Sequence, residues 1–351
     1  MSDGTKIEWT NATWNPITGC TLVSEGCRNC YAAELAVGRL QHHPSRAGLA
    51  RRNAEGAAKF TGEVRFNEGW LDQPLRWTKP RRIFVCAHGD LFHENVPYAW
   101  IDRVFAVMAL SPQHVFQVLT KRPERMRDYF EPYCQRRADG LGNAVLELGY
   151  TGPLETLQWP LPNVWLGVSV EDQATADARI PLLLDTSAAK RWISAEPLLG
   201  PLDVNWAVTR NRLEMASGFL KRGFFSPGLE KLRSLDWVVV GGESGRGARP
   251  MHPDWARDLR DQCAAAEVAF FFKQWGAWAN STELEAMPLC AEDFIFKASG
   301  QVLGAGGRDG RKMLGMVESD WREQGGAWMS RLGKKAAGHL LDGVEHRAFP
   351  S

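Results

Sequence analysis

The 351-residue chain has no excess charge of either sign: 42 Lys and Arg face 41 Asp and Glu, a formal net of +1. Bulk electrostatics therefore gives no sign of nucleic-acid binding, which as a rule shows as a strong basic excess. The short pairs Arg51-Arg52, Arg81-Arg82, Arg136-Arg137 and Lys334-Lys335 read singly as solvated surface. No apolar run approaches the ~20 residues that a membrane span needs. The polar start, MSDGTKIEWTN, is unlike a secretory leader, so a cytoplasmic protein without a membrane partner is expected. Seven cysteines are too sparse, and odd in number, for a disulfide scaffold. Cys86, Cys134, Cys263 and Cys290 are scattered and read as small buried apolar residues. Internal repeats and low-complexity tails are also missing. What remains, at 44% hydrophobic and 24% charged residues, is an ordinary globular composition. The length suits one α/β barrel of roughly 250 residues with additions.

The order of elements supports that class. Strands are expected at 81–87, 114–120, 163–170, 190–195, 235–242 and 268–275, with a less distinct one in 6–14. Helices are expected at 98–110, with Ile101, Val104, Phe105 and Met108 on one face, at 123–130, and at 253–267, with Trp255, Leu259 and Cys263 in line. A further helix over 172–185 should be interrupted at Pro181. The strands are nearly continuous apolar runs, as in a parallel sheet covered on both faces. The expectation is an α/β fold, a partial (β/α)6-like TIM-type barrel with mostly parallel strands, over 1–275. Insertions fall at 131–162 and 205–234, and a small region is appended at 276–351.

In such folds the chemistry gathers at the carboxyl ends of the strands. Polar residues follow each strand here: His88-Gly89-Asp90, Thr120-Lys121-Arg122, Ser169 with Glu171 and Asp172, Glu196 before Pro197, Glu243 in GGESGRG (241–247), and Lys273-Gln274. Asp172 and Asp254 read as helix caps. Glu196 does not, because a residue before proline avoids the α region. GGESGRG matches neither the dinucleotide fingerprint nor the P-loop.

The strongest signal is GCTLVSEGCRNCYAAELA (19–36), where Cys20, Cys27 and Cys30 follow C-x6-C-x2-C before a helical run. A structural zinc site closes four ligands, and His42 or His43 could supply the fourth. An iron–sulfur cube on three thiolates instead leaves one iron open to a ligand, and a strand-to-helix loop suits it. A zinc-containing nucleic-acid-binding protein, using some of the 15 Trp and 16 Phe to stack on bases, is the competing reading. A metal-dependent hydrolase built on His88, Asp90, His93 and Glu94 is a third.

The stretches TWNPITGCTLVSEGCRNCYA, GDLFHENVP, LTKRPERM, WLGVSVEDQ, ISAEPLLGPLD and VVVGGESGRGARPMHP resemble a phage-type family with a three-cysteine motif and no assigned substrate. The thiol arrangement resembles the radical S-adenosylmethionine enzymes, whose familiar motif is C-x3-C-x2-C. The six-residue first spacer departs from it, as does Tyr31 following the last cysteine rather than an aromatic preceding it. The resemblance implies that Cys20, Cys27 and Cys30 hold a [4Fe-4S] cluster that chelates S-adenosyl-L-methionine at the open iron. Reductive cleavage then yields a 5′-deoxyadenosyl radical that abstracts hydrogen from a substrate inside the barrel. By position, Gly89 and Asp90 fall to the methionine amino group, and Ser169 and Glu171 to ribose or carboxylate. Lys121, Glu196 and Glu243 fall to catalysis, acting on substrate or holding methionine carboxylate or adenosine. An electron donor, a partner protein, and a nucleotide, nucleic-acid base or DNA substrate complete what the resemblance implies.

Overall fold

A computed structural model describes residues 4–131, 135–153, 159–209, 234–282, 292–307 and 318–351. Seven parallel strands form one sheet in chain order: β1 (Ala12–Trp14), β2 (Arg82–Val85), β3 (Val115–Thr120), β4 (Val164–Ser169), β5 (Lys190–Ala195), β6 (Trp237–Gly241) and β7 (Ala269–Gln274). The sheet is an open half-barrel, which is the partial TIM-type barrel expected from the strand pattern. Its first strand is the short β1, the indistinct one of the sequence.

Alternation along the strands separates two cores. Ile83, Val85, Phe116, Val118, Leu166, Val168, Ile193, Val238, Val240 and Phe272 face outward, into the core that the helices complete. Helix Tyr98–Ala109 buries Ile101, Val104, Phe105 and Met108, and helix Pro253–Ala265 buries Trp255, Leu259 and Cys263. The intervening positions face inward. There Phe84, Trp165, Trp192, Trp237 and Phe271 pack around Trp9 as a second core that fills the amino-terminal half of the barrel. Further along the same inward rows, Thr13, Leu119, Ser169, Ser194 and Lys273 line an open cavity. The strands read as continuous apolar runs because both faces are covered.

Two local expectations need correction. Helix Gln173–Asp185 runs through Pro181 without interruption. Burial of Ile180, Leu183 and Leu184 outweighs the roughly 3 kcal/mol that an interior proline costs. Asp254 is not a cap: Pro253 is the first helical residue, so His252 takes the cap position and its side chain accepts from Asp254 N. Asp172 does cap its helix, accepting from Thr175 N at 2.9 Å. Within 131–162, helix Gln135–Glu147 lays Ala144 and Val145 against Ala106. Within 205–234, helix Asn205–Val208 buries Ala207 and Val208. Residues 210–233, and likewise Cys134 and Cys290, lie outside the described residues.

Beyond β7, four antiparallel strands form a separate sheet in the order Trp278–Asn280, Gly326–Arg331, Glu292–Lys297, Val302–Gly307. The chain then returns to the half-barrel. Arg347 bridges Phe271 antiparallel, and Ala348 N donates to Phe270 O at 3.2 Å, covering the open edge of β7. Phe349 stacks on Trp237, at 5.2 Å between centroids. Among the described residues no helix is long and apolar enough to cross a membrane.

Gly167 in β4 gives Trp192 its place in the inner core. A Cβ there would stand 2.5 Å from the indole ring. Gly167→Ala should lower stability by about 1–3 kcal/mol through overpacking, read as a lower urea midpoint. An unchanged midpoint would show that the tryptophan cluster yields.

Candidate functional site

The cavity at the carboxyl ends of the strands has a volume of about 1050 Å³, and Cys20, Cys27 and Cys30 all line it. The loop reaches the mouth through Gly19, whose φ is +97°. A Cβ at this position would lie 2.0 Å from Glu63 O, so only glycine fits. Gly19 and Gly89 form a parallel bridge, with Gly19 N donating to His88 O at 3.1 Å. The loop continues through a 3-10 turn, Glu25–Cys27, and ends with Cys30 as the extended cap residue of helix Tyr31–Val37.

Three acidic residues after the strands hold this loop. Glu171, 1% exposed, accepts from Lys121 Nζ, from Arg179 Nη1 at 3.1 Å and from Ser24 Oγ at 3.1 Å. Gly26 packs so closely on Glu171 that a Cβ would stand 2.4 Å from the carboxylate. Asp90, 5% exposed, accepts from Thr120 Oγ1 at 2.7 Å, Phe92 N at 2.9 Å, Arg122 Nη1 at 3.1 Å and Lys121 N at 3.2 Å. The same Arg122 donates to Thr21 Oγ1, to Glu94 at 2.7 Å and to Cys20 Sγ at 3.6 Å. Glu243 accepts from Arg249 Nη2 at 2.7 Å and from Asn29 Nδ2 at 3.0 Å, and Arg249 also donates to Glu25 O at 2.9 Å. Tyr31 OH adds a bond to Ala87 O at 2.6 Å.

Of the residues singled out in the sequence, the three cysteines, Gly89, Asp90, Lys121, Ser169, Glu196 and Glu243 share the one cavity. Glu171 lies behind the wall. Glu196 is paired with Lys273 Nζ at 2.6 Å. The sequence reading did not single out the roles of Arg122, Arg249 and Asn29, nor Ser194, which lines the cavity from β5. The alternation of β5 contains the signal for Ser194, since it falls two residues after the inward Trp192. Nothing local in the sequence marks Asn29 or Arg249.

The charges follow the packing. Burial, aided by the nearby Asp90, pushes the Cys20 thiol up to about 12, with the Arg122 guanidinium opposing. Burial also raises Cys30. His88 falls to about 4, through burial and then the Arg46 charge, whose guanidinium donates to its Nδ1 at 2.9 Å. Burial would raise the Glu171 carboxyl, but Lys121 and Arg179 hold it below the ordinary range.

The zinc and hydrolase readings can be tested on these side chains. His42 and His43 are exposed, and His43 Nδ1 is bonded to Ser45 Oγ at 2.7 Å. His88 is held by Arg46, whereas Asp90 and Glu94 are both paired with Arg122 and His93 Nε2 lies 3.1 Å from Thr21 Oγ1 and 3.4 Å from Glu94, so His88 stands apart from the other three and a guanidinium occupies their carboxylates. Among the described residues no three His, Cys, Asp or Glu side chains, the loop cysteines included, are grouped to hold a single metal ion. The donor set fits a cluster on chemical grounds: three thiols line one cavity, a guanidinium touches one of them, and the His88 imidazole that lines the same cavity is held by Arg46. A cube takes one thiolate per iron and leaves its fourth iron to a ligand.

Glu171→Gln leaves Lys121 and Arg179 buried without their carboxylate and should cost about 3 kcal/mol in urea unfolding. The folded pKa of Glu171 lies below its unfolded value. Its stabilisation is therefore full above about pH 5 and is lost as pH falls through the folded pKa. The variant should lose less stability than the parent from about pH 5 downward; equal acid slopes would contradict the assignment.

Residues 4–350 match the family model described as "Protein of unknown function (DUF5131)". No curated protein matches the chain. Among solved structures it is similar to "Spore photoproduct lyase complexed with dinucleoside spore photoproduct", with a TM-score of 0.38 and 11% identity over 76% of this chain and 75% of that one. That likeness is too slight to assign chemistry. The match across nearly the whole length makes the chain a member of the DUF5131 family.

Proposed function

We propose that the protein is a radical S-adenosylmethionine enzyme acting on a nucleotide or nucleic-acid base, with Cys20, Cys27 and Cys30 holding a [4Fe-4S] cluster. One observation carries this reading: three thiols, from a loop tied down at three strand ends, line a single large cavity. When bound, the cluster would supply the electron for reductive cleavage of S-adenosyl-L-methionine and so for hydrogen abstraction.

The chain's own residues supply the rest. Arg122 and Asp90 fix the approach of Cys20. Glu171 and Glu243 act through the Ser24 hydroxyl and Asn29, as positioning residues that keep Cys27 and Cys30 aimed inward. Lys121 serves the same end, since its ammonium is paired with Glu171. The Lys273–Glu196 pair presents one charge of each sign to the cavity and suits the amino and carboxylate groups of a bound amino acid. Ser169 and Ser194 offer hydroxyls to a ribose or base, and Gly89 lets backbone approach a ligand. The inner tryptophan core closes the floor, so a reactive species formed above it is shielded from water. An electron donor is required, and the reading places the protein in the cytoplasm.

Anaerobic reconstitution should give brown protein with about four irons per chain. Under reduction it should convert S-adenosylmethionine to methionine and 5′-deoxyadenosine. Cys27→Ala should abolish both colour and cleavage. A colourless protein carrying about one zinc per chain, or full cleavage by the variant, would overturn the reading.

A further inference from the structure

The cavity is far more basic than the chain around it. Its lining includes seven Lys and Arg against three Asp and Glu, whereas the whole molecule carries a net +1. Four of the seven cations are neutralised. Lys121 pairs with Glu171, Arg122 with Asp90 and Glu94, Lys273 with Glu196, and Lys334 with Glu8. Among the described residues, the remaining cations, Lys6, Arg39 and Lys59, have no carboxylate at ion-pair distance. Lys6 and Arg39 are exposed, and Lys59 donates at 2.8 Å to a neutral acceptor, Arg28 O. The positive charge left unbalanced therefore lies on the exposed Lys6 and Arg39 and the half-buried Lys59.

The rim also carries exposed apolar surface. Leu22, Val23 and Tyr31 are 57%, 41% and 52% exposed, three of the eight large hydrophobic side chains that are exposed among the described residues. All three line the cavity from the cysteine loop. The Tyr31 ring is held by its bond to Ala87 O, so it is already ordered in free protein. Unpaired cations beside a fixed aromatic ring are what a flexible nucleic-acid strand recognises: phosphates meet the charges, and a base stacks on the ring.

We infer that the mouth of this cavity binds single-stranded nucleic acid, with Lys6, Arg39 and Lys59 on the phosphates, Tyr31 under a base, and one unstacked nucleotide entering the cavity. This rests on the cavity being the site of the proposed chemistry, and it narrows the substrate to a strand rather than a free nucleotide. The cavity is near the upper end of the ~300–1,000 Å³ of small-molecule sites. A base can enter such a site only when it leaves its stack, which is easiest in a single strand.

The test is fluorescence anisotropy with a labelled single-stranded DNA of about fifteen nucleotides, within the range of such sites. It compares full-length protein with the triple variant Lys6→Gln, Arg39→Gln, Lys59→Gln, and iron content and melting temperature are measured on the same samples. The parent should bind with a log–log salt slope near about −2, from three phosphate contacts at roughly −0.7 each. The variant, folded and with unchanged iron, should bind at least about tenfold more weakly with a flatter slope. Excess deoxyadenosine monophosphate should not displace the strand. No binding by the parent, equal binding by the folded variant, or displacement by the mononucleotide would overturn the inference; the first with iron retained would leave the rim to an acidic protein partner. Binding by a protein that carries zinc instead of iron would sink the radical reading while leaving the strand-binding surface standing.

Discussion

The contact on which the site depends is between the buried carboxylate of Glu171 and two residues of the cysteine loop, Ser24 and Gly26. A 1%-exposed carboxylate must be compensated, and Lys121 and Arg179 do so. Once fixed, it accepts from Ser24 and takes Gly26 against its face, so no side chain fits at that glycine. Asp90 with Arg122, and Glu243 with Arg249, repeat the arrangement at two other strand ends. Eleven residues of irregular chain, from 20 to 30, are thereby held by the rigid half-barrel at three points. A loop so constrained can present three thiols to one cavity without closing them around a lone ion.

In the proposed reading the acidic residues serve the loop rather than a ligand. Acids at strand ends suggest groups awaiting a ligand, yet Asp90, Glu171 and Glu243 are already satisfied by protein cations. In the proposed reading they position the thiols. The groups best placed to meet a ligand are less conspicuous: Ser169, Ser194, the Lys273–Glu196 pair and the backbone near Gly89. The tryptophans divide in the same way. Trp9 lines the cavity and packs with Trp165, Trp192 and Trp237 in the inner core, and the exposed ring at the mouth is Tyr31.

Much of the fold was legible in the sequence because its signals are local. Helix Pro123–Phe130 and strand Lys190–Ala195 have the limits that their apolar pattern and flanking residues indicate. The convergence of strand ends was legible too, because parallel topology places them together. The roles of those residues were not. Ser24 and Glu171 are 147 positions apart, and Asn29 and Glu243 are 214 apart, so no local pattern says which acid meets which donor. Helix Gln135–Glu147 was obscured by its glycines and arginines, and its apolar side chains have meaning only against helix Tyr98–Ala109. His252, rather than Asp254, as the cap could have been read from Pro253, which occupies the first helical position.

If the three thiols hold a cube, one iron stays open to a ligand inside this cavity. The most direct measurement is the electron paramagnetic resonance spectrum of reduced, iron-loaded protein before and after S-adenosylmethionine is added. A cube signal whose g values shift as the ligand occupies the open iron is expected. A cube signal that S-adenosylmethionine leaves unaltered would contradict it.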